Sequence, residues 1–126
     1  MITGYVDEYE QAKVPIAVLD SADNTFVLDA VVDTGFSGHL CISIYEMDKI
    51  ALSFWRTSKF ELGDGRPVKQ NIYRGQAIFD DQRLLVNVLV SKSRDTLIGS
   101  AFLVNKKLEV DYTNKLVRIR NSRKKK

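Results

Sequence analysis

Asp33-Thr34-Gly35 stands at the end of the apolar run Val27-Leu28-Asp29-Ala30-Val31-Val32, and the triplet occurs only once in the chain. An Asp that a buried strand delivers into a tight Gly turn leaves the core at the sheet end. There its carboxylate is aimed off the strand and can act as a general acid or base. Gly35 carries no side chain, so the turn is expected to approach a second backbone closely. Taken alone, the triplet reads more readily as a surface hairpin turn. Rival chemistries are weaker. His39 and Cys41 lie two apart and would share one strand face, which invites a Cys-His nucleophile. Neighbouring positions on a strand rarely align thiolate and imidazole, and the plainer reading is a small buried Cys beside a rim His. One His and one Cys are too few preferred ligands for zinc. Asp95 and Asp111 flank apolar segments outside any such turn and read as strand-end charges. No metal or cofactor is implied.

The elements that must position Asp33 are strands. Alternation and β-branched residues mark Ile2 to Val6, Val14 to Leu19, Thr25 to Val32, Leu40 to Ser43, Phe60 to Leu62, Val68 to Phe79, Arg83 to Val90, Leu108 to Asp111 and Leu116 to Arg120. Reversals are expected at Ser21 to Asn24, Asp80 to Gln82 and Tyr112 to Lys115, where Asn, Asp and Ser cluster. Ser43 and Glu46 fit a capping box, with Ile44, Met47 and Ile50 or Ala51 following at helical spacing. A second short helix is predicted to open near Ser100 and close at Asn105. Phe54 and Trp55 are expected in the core or a dimer contact, since no ladder of aromatics accompanies them.

At 126 residues the chain fits one domain. A hydrophobic share of 44% with 28% charged residues is ordinary globular composition. Apolar runs are short and broken by charge, so no membrane span is expected. Met1 to Gln11 is acidic and lacks a basic-then-apolar leader, and the lone Cys41 suits a reducing compartment. A cytoplasmic location is the expectation. Formal net charge is +3, yet Arg118, Arg120, Arg123, Lys124, Lys125 and Lys126 crowd the last nine positions and leave the remainder slightly acidic. Such a basic end is expected to be solvated and frayed, which disfavours nucleic acid as a partner.

Two further segments follow the Asp-Thr-Gly in order. Phe60-Glu61-Leu62-Gly63-Asp64-Gly65-Arg66 reads as a hairpin with glycines at its tip, and Thr96-Leu97-Ile98-Gly99-Ser100-Ala101-Phe102-Leu103 as two apolar residues and a Gly leading into a short helix. Together the three resemble the retropepsin-like aspartic proteases over about Ile2 to Ile119. Phe36 after the triplet is similar to a small prokaryotic branch with an Asp-Thr-Gly-Phe signature. The resemblance implies a mainly β fold: a closed acid-protease barrel with one or two short helices over residues 1–120, followed by a basic, disordered tail over 121–126. It implies an aspartic endopeptidase, homodimeric because each chain supplies one Asp33; a two-lobed version would need two motifs on a chain more than twice as long. Thr34 would bond across the interface and Gly35 would offer its backbone to substrate. Phe36, Ser37, Ile98 and the flap residues Gly63, Asp64 and Gly65 would contact an extended peptide. Viral members often pair an Asp and an Arg at the positions of Ser37 and Ser100, a tie this chain lacks. Two alternatives remain: a catalytically idle dimeric module of the same fold that binds a peptide or protein, and a small β protein that binds RNA through Ser122 to Lys126.

Overall fold

The computed structural model describes residues 1–61 and 64–122, with the side chains of residues 60 and 61 outside the description. Among the described residues there are ten strands: β1 (Ile2–Val6), β2 (Ala12–Leu19), β3 (Thr25–Val32), β4 (Leu40–Ser43), β5 (Ser53–Glu61), β6 (Pro67–Phe79), β7 (Gln82–Ser91), β8 (Thr96–Ile98), β9 (Lys106–Asp111) and β10 (Leu116–Asn121). A single helical turn, α1 (Ile44–Met47), follows β4, and a 3-10 turn spans Ser100–Leu103. Strand order is β5-β6-β7-β4-β8-β3-β2-β1-β10-β9, and a further pairing of β6 with β2 closes β6, β7, β4, β8, β3 and β2 into a six-stranded barrel. The fold is thus the mainly β, closed barrel expected.

One edge of β2 serves two partners. Lys13 and Ala12 pair with β1 near its start, and Ala17 to Leu19 pair with β6 near its end. Pro15, which has no N–H to donate, falls in the gap between them. Alternate residues point into the barrel: Val14, Ile16 and Val18 from β2, Leu28 and Ala30 from β3, Leu40 and Ile42 from β4, Val86 and Val88 from β7, and Ile98 from β8 are all buried. The reversals carry the anticipated chemistry. The Asp20 carboxylate accepts the Ala22 and Asn24 N–H groups at 2.9 Å each. Asp80 and Asp81 hold φ of 52° and 63°, the two-residue turn that matches the twist of β6 and β7.

Several expectations change in detail. The strand anticipated from Phe60 begins at Ser53. Its register slips between Phe54 and Arg56, a bulge that erases the alternation on which recognition of a strand depends. Phe54 is exposed rather than in the core, edge-to-face with Tyr73 at 5.9 Å. The capping box is half made: Ser43 Oγ accepts the Tyr45 N–H at 3.3 Å, but the Ser43 N–H donates to Thr96 Oγ1 instead of Glu46. The second helix is only a 3-10 turn, anchored by buried Phe102, whose ring lies 4.8 Å from that of Phe79.

Candidate active site

Asp33 is placed by two strands that end side by side. β3 and β8 run parallel, with Ala30, Val31 and Val32 opposite Thr96, Leu97 and Ile98. The Asp33 N–H donates to the Ile98 carbonyl at 2.9 Å, so the Asp leaves the sheet in register with Gly99. A tight turn follows: the Phe36 N–H donates to the Asp33 carbonyl at 3.1 Å, and the Gly35 N–H donates to Asp33 Oδ1 at 3.0 Å. One carboxylate oxygen is therefore fixed by the backbone. The side chain is half-buried, while Thr34 and Gly35 at the apex are exposed.

The turn is sewn to the loop after β8. Gly99 N–H donates to the His39 carbonyl at 2.9 Å, and Ser100 N–H to the Phe36 carbonyl at 2.8 Å. The close backbone approach expected at Gly35 occurs here instead. A Cβ on Gly99 would lie 2.3 Å from the Gly38 carbonyl oxygen and 2.4 Å from that of Phe36. At Gly35 a Cβ would meet only Asp33 Oδ1, at 3.3 Å.

Asp33 and Thr34 line an open depression of about 520 Å³ walled by Val31, Leu97, Leu108, Val110 and Tyr112. Glu10 adds a second carboxylate to its rim. Ile98, expected to contact substrate, is fully buried, and strand alternation explains why. Ile98 faces inward opposite Leu40, and its neighbour Leu97 faces the depression. Phe36 and Ser37 turn the other way and line a second pocket of about 300 Å³, floored by Ile72 and Leu89 and edged by Arg56 and Lys59. Sequence reading missed Leu97, which alternation alone could have found. It also missed Arg56, which the bulge in β5 conceals.

The hairpin expected as a flap is formed by β5 and β6, paired from Ser53 with Arg74 to Glu61 with Pro67. Near its tip Asp64 accepts the Arg66 N–H at 3.1 Å and forms an ion pair with its guanidinium at 2.6 Å, and Gly65 holds φ of 84°. Gly63 lies outside the described residues.

His39 and Cys41 form no couple. The His39 ring lies edge-on to Phe102 at 5.2 Å, and burial lowers its pKa. Burial raises that of the Cys41 thiol, which keeps it protonated at neutral pH. Among the described residues no three His, Cys, Asp or Glu side chains are grouped to hold a metal ion, and no helix is long and apolar enough to cross a membrane.

No protein-family model and no curated protein sequence matches the chain. Solved structures do. A retropepsin-like aspartic protease from Rickettsia conorii superposes with a TM-score of 0.62 at 14% identity, over 95% of this chain and 89% of that one. EIAV protease, complexed with the inhibitor HBY-793, gives 0.55 at 13% identity, over 78% and 89%. Simian foamy virus (mac) protease gives 0.50 at 16% identity, over 71% and 91%. Identities this low carry the fold alone: a closed, mainly β barrel of the retropepsin-like kind, with Asp33 at the joint end of two of its parallel strands.

Proposed function

We propose that the chain is a homodimeric aspartic endopeptidase whose catalytic pair is two Asp33 carboxylates, one from each subunit. The observation that carries this reading is the setting of Asp33 within a retropepsin-like barrel: backbone-braced through Gly35, half-buried and opening onto a depression of about 520 Å³. The exposed apex, Thr34 and Gly35, is free to meet its copy. Residues 1–120 carry the activity and the basic tail is dispensable to it.

The chemistry follows from electrostatics. Two carboxylates about 4 Å apart repel by about 4 kcal/mol at an effective dielectric near 20. The pair is therefore most favourable with one proton shared between its two carboxylates. The ionised member takes a proton from a bound water as it attacks the peptide carbonyl. The protonated member hydrogen-bonds that carbonyl oxygen and then passes a proton to the leaving nitrogen. Thr34 steadies the pair across the interface, and the β5-β6 hairpin closes over an extended peptide to exclude water.

The test is incubation with a diverse peptide library from acid to neutral pH, comparing wild type with Asp33→Asn. The expected result is a bell-shaped pH profile for wild type and loss of hydrolysis in a variant that still folds. Hydrolysis retained by homogeneous Asp33→Asn protein overturns the mechanism. A wild type that binds library peptides and cleaves none supports the idle binding module instead.

A further inference from the structure

The two hollows beside Asp33 differ in charge. The depression that Asp33 lines carries two carboxylates, Asp33 and Glu10. The 300 Å³ pocket that opens three residues later, at Phe36, has an apolar floor of Phe36, Ile72 and Leu89, two cations, Arg56 and Lys59, and among the described residues no carboxylate in its lining. Arg56 stands opposite Ile72 across β5 and β6, and Leu89 of β7 joins them in the lining. That guanidinium lies over the Trp55 ring, 4.2 Å from its centroid, and among the described residues neither Arg56 nor Lys59 forms an ion pair.

The hairpin above is basic as well. Between Ser53 and Gly75 it carries Arg56, Lys59, Arg66, Lys69 and Arg74 against Glu61 and Asp64. Asp64 is engaged by Arg66. Lys59 and Lys69 stand directly opposite each other across the ladder, a like-charge pair that destabilises a hairpin until an anion approaches.

We infer that the Phe36 pocket is a specificity subsite that takes an acidic side chain, Asp or Glu, from an extended peptide bound across Asp33. The carboxylate would meet Arg56 while its methylenes lie on Ile72 and Leu89, and Lys59, three residues on and so rooted on the other face of β5, would add its charge at the rim. A Lys or Arg at the same position would face two cations. The carboxylates of the Asp33 depression confine the preference to one side of the scissile bond, so acidity is selected at one position and not along the whole peptide. The inference rests on the peptidase reading for its geometry, but a binding measurement separates the two.

The experiment is a positional scan, placing Glu, Gln or Lys in turn at each position of a cleaved library peptide. It is run with wild type, Arg56→Glu and the double variant Arg56→Glu/Lys59→Glu. Wild type is expected to favour Glu over Lys by about tenfold in kcat/KM at one position, chiefly through KM and less so at high salt. The single variant should shrink that ratio and the double variant should invert it. In parallel, fluorescence anisotropy of the same labelled peptides with Asp33→Asn protein reads binding without turnover. Cleavage with no positional preference for Glu, or a preference the charge reversals leave unchanged, overturns the subsite and leaves the peptidase standing. A Glu preference in anisotropy with no cleavage by wild type supports the subsite and overturns the peptidase. Absence of both preferences overturns the subsite.

Discussion

Asp33 owes its aim to a residue sixty-six positions away. The strand brings it to the sheet edge, but the turn keeps its shape because the Gly99 backbone fits against the carbonyls of Phe36 and Gly38 with no room for a Cβ. Those carbonyls belong to the same short loop that carries the carboxylate. Forcing them apart tilts the turn and leaves the Ser100 N–H bond to Phe36 stretched. Gly99→Ala should accordingly cost about 1–3 kcal/mol of stability, in line with other overpacked sites, and lower the melting temperature by several degrees. Activity should fall further than stability does, since geometry at Asp33 changes before the barrel opens. Calorimetry with a parallel peptidase assay checks it; an Ala variant with wild-type melting and turnover would show that the contact is slack. This close fit was only half legible. The sequence marks Gly99 as a partner of the triplet but assigns the crowding to Gly35, because backbone proximity across sixty residues leaves no local trace. Ile98 illustrates the same limit at closer range. Its register against Leu40 decides that it faces inward, and register comes from pairing partners that a single strand does not reveal.

Elements were legible where one face is apolar and the other polar. β1, β3 and β4 begin and end where alternation places them, and β6, β7, β9 and β10 differ by one or two residues. β5 hid its first seven residues because a bulge at Trp55 breaks the period, and β8 is too short at three residues to carry one. Both gaps matter to function: β5 supplies the Phe36-pocket cations and β8 fixes the height of Asp33. The hairpin of β5 and β6 also tests the idea that a flap governs turnover. Gly65 holds φ of 84°, a region where a β-branched side chain costs roughly 1–2 kcal/mol. Gly65→Val should therefore slow hydrolysis several-fold while moving the melting temperature by only a few degrees, because Gly65 is exposed. Unchanged kcat and KM in a folded Gly65→Val protein would make the hairpin an ordinary surface turn.

At the scale of the whole molecule, one chain closes its own barrel and, on the proposed reading, carries half of a site. Its interior is filled by aliphatic side chains from six strands of the one chain. The Asp33 depression is different: its walls, Leu97, Leu108, Val110 and Tyr112, come from separate strands and the loop after β9, and the carboxylate at its edge has no second Asp33 within reach in a single chain. A catalytic pair shared between subunits has a consequence that a self-contained site lacks. Inactive Asp33→Asn subunits should poison active ones by joining them in mixed dimers. When wild-type and Asp33→Asn chains are mixed in equal amounts and allowed to exchange, random pairing leaves about one quarter of the dimers with both carboxylates, whereas independent sites would leave about one half of the chains active. Peptide hydrolysis measured across a series of such mixtures should thus follow the square of the wild-type fraction. A linear dependence, with full exchange shown by a tagged subunit, would contradict a site built from two copies of Asp33.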